Sequence, residues 1–236
     1  MSESAAQEGG WAEAQVVHFQ GGWPLWLRWM LATTVGELVG FAVPTAVGTA
    51  IWVIGGEGGA FTSIAMFIFM ILAGGGEGAV LGFAQWIVLH RHIPDVVRRD
   101  WVLATALAAA FAWLLAMLVV TRGDLAAINT VLFVIGVIVI GLMLVASIGF
   151  AQWYVLKRHI QNVFWWIPAN AVAWPLGIAM PVLGLSLVPD GSPVEAWVAT
   201  GVVSGMAMGV VVGAITGIAL VWLLRNHASD SEKQTS

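Results

Sequence analysis

Apolar residues run along this chain in six long stretches, roughly 25–54, 61–89, 101–121, 127–156, 166–188 and 195–225, with short polar connections between them. At ~1.5 Å per residue each is long enough to cross a hydrocarbon layer of ~30 Å as a helix. Inside the stretches small residues return every fourth position. Trp29 is followed by Ala32, Gly36, Gly40 and Pro44, Trp101 by Ala104, Ala108, Ala112 and Ala116, and Trp166 by Ala169, Ala173, Gly177 and Pro181. The even stretches carry a second beat: Gly74, Gly78, Gly82, then Gly141, Val145, Gly149, then Gly209, Gly213, Gly217, with Gly201 and Gly205 extending the last ridge. A four-residue spacing puts small side chains on one helix face and lets backbones approach closely, which is how helices associate where apolar burial supplies little drive.

The pattern is one helical hairpin written three times. Gly82-Phe83-Ala84-Gln85-Trp86-Ile87-Val88-Leu89-His90-Arg91-His92-Ile93 matches Gly149-Phe150-Ala151-Gln152-Trp153-Tyr154-Val155-Leu156-Lys157-Arg158-His159-Ile160, and Gly217 to Arg225 is a degenerate third copy. Internal similarity at a fixed period is the signature of a repeat architecture. The expected fold is therefore an all-α integral membrane protein of six transmembrane helices. Its hairpins span approximately 25–98, 99–164 and 165–226, with approximate threefold symmetry about the membrane normal. Residues 1–23 read as a polar leader, in which Trp11 to Phe19 form an interfacial helix or remain unstructured. Residues 227–236 read as an unstructured tail following a 24–226 membrane domain.

Composition strengthens this picture. Of 236 residues 60% are apolar and 9% charged, against about 25% charged in soluble domains. The absence of cysteine removes disulfides, thiolate nucleophiles and cysteine metal sites. A net charge of -4 gives no footing for nucleic acid. Arg28, Arg91, Arg98, Arg99, Lys157, Arg158, Arg225 and Lys233 fall on one side of the six spans and Arg122 on the other. The positive-inside rule then puts both termini in the cytoplasm of a cell (inner) membrane. Glycine- and proline-rich turns at Gly55–Gly59, Arg122–Asp124 and Pro189–Pro193 face outward, and His90–Asp100 and Lys157–Trp165 connect the inner ends. Tryptophans at the span ends are expected at headgroup level.

Two carboxylates, Glu37 and Glu77, lie inside the spans, where an ionised group is costly. Counted from Trp29 and Trp86, both lie ~12–14 Å from the inner interface. They occupy antiparallel neighbours and adjoin the packing residues Gly36 and Gly78, so they can meet. Two like charges in low dielectric do not both ionise cheaply, and one holds a proton or a cation bridges them. The competing reading is two protonated, hydrogen-bonded side chains acting as glue between helices. The run Gly74 to Gly78 invites a break in its helix, a feature that often builds ion or substrate sites. Gln85 and Gln152 are equivalent one turn inside the interface, and Thr33, Thr105 and Asn170 are equivalent on the odd helices, with Thr34 beside them. These read as interhelical hydrogen bonds or as a polar vestibule. His90, His92 and His159 lie beside basic residues at the membrane edge and suit headgroups better than metal. Pro44 and Pro181 are expected to kink their helices. No metal site, cofactor or nucleophile motif is found.

The Gly-Phe-Ala-Gln-Trp…Leu-x-Arg-His-Ile pattern followed by Trp-x-x-Ala-Thr resembles that of bacterial multi-pass membrane proteins built of such hairpins. The resemblance covers most of residues 29–225 and implies no activity. Three two-helix repeats also occur in mitochondrial-type carriers, but their proline–acid–base signature is absent here. Two functions remain in view, neither enzymatic. One is a small channel or secondary transporter for a proton, cation or small solute, using Glu37 and Glu77. The other is a non-catalytic membrane subunit or scaffold. The expected partners are the lipid bilayer and either further copies of the chain or a larger membrane complex.

Overall fold

A computed structural model describes residues 22–56, 59–120 and 130–235. Trp11 to Phe19, Glu57, Arg122 and Asp124 lie outside the described residues. Six α-helices follow one another: α1 Gly22–Gly55, α2 Ala60–Leu89, α3 Arg98–Val120, α4 Thr130–Leu156, α5 Trp166–Ser186 and α6 Val194–Thr235. Each contains a segment long and apolar enough to span a membrane. Among the described residues there is no strand.

The boundaries follow local chemistry. Gly56 and Gly191 take up positive φ (67° and 79°) in the turns after α1 and before α6, a backbone region open to glycine at little cost. Asp100 lies in the first turn of α3, where a carboxylate complements the helix dipole. The connection between α2 and α3 is pinned by Trp86, whose indole N–H donates to the Val96 carbonyl at 3.0 Å. The end of α6 differs from expectation. Residues 227–235, read as an unstructured tail, continue the helix. Asn226 to Thr235 holds neither glycine nor proline to stop it.

Every helix packs on its neighbours in sequence, and α6 closes onto α1, so the six form a ring. The small residues lie in these seams. A Cβ added to Gly213 would lie 2.8 Å from Met30 Cα, one at Gly209 2.7 Å from Thr34 Cα, and one at Gly217 3.1 Å from Trp26. An added Cβ at Gly36 would lie 3.0 Å from Leu81 Cα across the α1–α2 seam, and one at Gly82 3.0 Å from Thr105 across α2–α3. One at Gly149 would lie 2.7 Å from Asn170 between α4 and α5. Not every predicted packing glycine is used. Gly141, Gly201 and Gly205 have nothing within 4 Å of their Cβ positions, so the α6 ridge begins at Gly209. The outer face is apolar, with Val35, Leu72, Leu107 and Leu142 exposed, as a surface turned to lipid requires.

The glycine run in α2 also departs from expectation. Gly74 to Gly78 is uninterrupted helix. Its glycines are occupied by neighbours: Trp113 against Gly74, Ala110 against Gly75, Val43 against Gly76 and Ala109 against Gly78. In lipid the freed backbone groups of a break would also lack partners.

Candidate functional site

The interior of the ring is built in layers, starting at the end that carries Arg28, Arg91 and Arg158. First comes an apolar plug of Leu25, Leu89, Leu156 and Leu223 packed on Trp29, Trp101 and Trp166. These three tryptophans are fully buried. Their ring centroids lie 6.3, 5.7 and 6.4 Å apart, at interplanar angles of 73°, 78° and 59°. The headgroup role expected of these leading tryptophans is thus overturned. They point along the same face as the small-residue stripes, into the ring, where edge-to-face packing of large rings fills the axis. Basic residues and rings meet around this end instead: Lys157 lies 4.5 Å from the Trp153 ring, and Arg158 lies 3.7 Å from Asp100.

The second layer satisfies the polar groups that the plug and its neighbours bury. Gln152 donates to Gln85 Oε1 at 2.9 Å and to Thr105 Oγ1 at 3.0 Å, and accepts from the Trp166 indole at 3.1 Å. Gln85 reaches Thr33 Oγ1 at 3.4 Å. Asn170 donates to the Trp166 carbonyl and accepts from Trp174 at 3.2 Å. Trp29 donates to Thr216 Oγ1 at 2.9 Å, whereas the buried Trp101 Nε1 has no hydrogen-bond partner. Thr34 stays out of this layer and bonds back to the Met30 carbonyl.

Beyond these layers lies a partly open cavity of about 290 Å³ to which all six helices contribute. Glu37 and Glu77 both line it. Glu37 is 2% exposed and Glu77 8%. The α1–α2 seam brings the acids together. Gly40, one turn past Glu37, lies against Glu77, so that an added Cβ would fall 2.9 Å from its carbonyl oxygen and 3.3 Å from its Cγ. The surroundings of the two acids differ. Trp113 donates its indole N–H to Glu77 Oε2 at 2.8 Å, in space that Gly74 leaves open. Both oxygens of Glu37 lack a hydrogen-bond partner among the described residues. The hydrogen-bonded partner that the glue reading expects is present for Glu77, in Trp113, and absent for Glu37 among the described residues.

The rest of the wall is apolar or aromatic. Two sets of positions that the sequence repeat equates face this one space: Glu37, Ala109 and Trp174, and Phe41, Trp113 and Ile178. Among the described residues no three His, Cys, Asp or Glu side chains cluster as a metal site. Trp113 and Thr216 were not singled out from the sequence. Trp113 had a legible signal, since an indole in the middle of a span cannot reach the interface and needs an internal acceptor. Comparison of the chain with protein-family models, curated proteins and solved structures finds no match in any of the three, so the resemblance to hairpin-built bacterial membrane proteins rests on its motifs alone and brings no family.

Proposed function

We propose that this chain is a small secondary transporter of a cell (inner) membrane, with Glu37 and Glu77 as its proton- or cation-binding site. One observation carries the reading: a buried carboxylate without a partner lines a cavity shared by all six helices, beside a second carboxylate. Burying such a group is expensive, and embedded acids commonly mark ion or proton paths. The filled plug of Trp29, Trp101 and Trp166 at one end favours a carrier with a central site over an open pore. The proposal includes both termini in the cytoplasm, an approximate threefold arrangement of the hairpins, and no catalytic activity. Its test is flux in proteoliposomes. Glu37→Gln with Glu77→Gln abolishes proton-linked transport on this reading, and flux equal to wild type refutes it.

A second reading, a non-catalytic subunit or homo-oligomer, is favoured by Gly141, Gly201 and Gly205, whose small faces meet nothing among the described residues. A purified chain that remains monomeric and captures no partner in mild detergent counts against it.

A further inference from the structure

The cavity selects its occupant by what its wall lacks. Among the described residues the only side-chain oxygens lining it belong to Glu37 and Glu77. The two indole N–H groups on the wall are already spent, Trp113 on Glu77 and Trp174 on Asn170. A sugar or other neutral polar solute would find no free side-chain donor beyond the one proton that the two acids can hold between them. A zwitterion would leave its own carboxylate beside two acids, with no cationic partner. An inorganic divalent cation needs about six or more oxygen ligands or retained waters, and the apolar wall of Leu81, Ile148, Ile178 and Met208 supplies neither.

A weakly hydrated organic cation meets every feature of the space. Its charge would lie against the unpartnered Glu37, its apolar body against the aliphatic wall, and its cationic methyl groups near Trp113 or Trp174, whose faces attract such ions. The volume suits it. About 290 Å³ is roughly twice the ~150 Å³ cavity that takes up a benzene, which leaves room for one ring and a substituted ammonium.

We propose that the central cavity binds small lipophilic monocations of the aryl- or alkylammonium class, with Glu37 as the charge partner. This rests on the reading of the cavity as a transport site and names its substrate class. The test uses the full chain in nonionic detergent, titrated by calorimetry against protein-free micelles. The probes are benzyltrimethylammonium, its neutral carbon isostere neopentylbenzene, and sodium or potassium chloride. Benzyltrimethylammonium is expected to bind saturably, one per chain, and neither the isostere nor either salt to compete. Glu37→Gln should weaken it at least ~30-fold, the scale on which removing one partner of a desolvated charge pair acts. Glu77→Gln, an equally isosteric change, serves as the second variant if the first does not remain monodisperse. Equal binding of the neutral isostere by the wild-type chain overturns the proposal, because the cavity then holds any apolar molecule, a lipid tail included. Competition by sodium or potassium, or unchanged affinity in Glu37→Gln, also overturns it. Binding without flux leaves this inference standing and removes the transport reading. Glu37-dependent proton flux without ammonium binding does the reverse.

Discussion

Gln152→Leu is the most informative single change to the scaffold. Gln152 is 1% exposed and makes three hydrogen bonds, to Gln85, Thr105 and Trp166. Leucine is already native at the equivalent place in the third hairpin, Leu220, which is fully buried. Packing should therefore tolerate the change, leaving the polar loss to dominate. Interhelical hydrogen bonds in membranes average ~0.6 kcal/mol each, with ~1.7 at most, so three contribute about 2 kcal/mol. The change also strands the Gln85 carbonyl and the Trp166 indole, and a buried unmade group costs ~1–3 kcal/mol. The expected destabilisation is at least about 4 kcal/mol, measured by reversible unfolding in mixed micelles. Adding Gln85→Leu removes one stranded group, so the double variant should cost less than the sum of the two singles by roughly 1 kcal/mol. A Gln152→Leu effect below ~0.5 kcal/mol, or strict additivity, would refute the view that this layer acts as a connected network.

Other expectations follow from the seams and the plug. Gly213→Ala drives a methyl into the Met30 backbone and should cost about 1–3 kcal/mol, whereas Gly141→Ala, with open space around it, should be neutral or slightly stabilising in the same unfolding assay. Trp29→Phe loses the bond to Thr216 while Trp101→Phe loses none, so the first should be the more destabilising by ~1 kcal/mol; equal costs would show that the indole N–H groups contribute nothing. Because the chain has no cysteine, single substitutions report topology directly. With an impermeant maleimide on intact cells, Ser192→Cys should label and Asp95→Cys should not, and the reverse pattern would invert the proposed orientation.

The six helices were legible because lipid-length apolar stretches have few alternatives, and the polar connections fall where helices must end. The acids were legible too, since a carboxylate within a span is conspicuous and its depth follows from counting residues. Two things were not. Tryptophan at a helix end has two competing destinations, the headgroup layer and the protein interior, and position along the chain does not separate them. Trp86 reaches a loop carbonyl while Trp29 fills the axis. Glycine is ambiguous in the same way. The run at Gly74 to Gly78 could loosen a helix or admit a neighbour, and only the position of Trp113 and Ala109 decides. Gly205 and Gly209 are both members of one ridge, yet only Gly209 has a backbone opposite it.

The layers also explain why the repeat is strict in some places and broken in others. At the plug the three equivalent residues are identical, Trp29, Trp101 and Trp166, because three similar rings pack edge to face around one axis. One turn on they are Thr33, Thr105 and Asn170, alike in being small and able to hydrogen-bond. A further turn on, at the cavity, they are Glu37, Ala109 and Trp174, which share neither charge nor size. Equal residues around an axis give every wall of a cavity the same chemistry. A site that must hold a charge on one side and an apolar body on the other needs unequal walls. Three glutamates at that level would bring three like charges into an apolar space, at a cost that grows with each added charge. One Glu, one Ala and one Trp provide a carboxyl group, clearance and a ring face. On the proposed function, the three hairpins differ at this level because the cavity there must do more than pack.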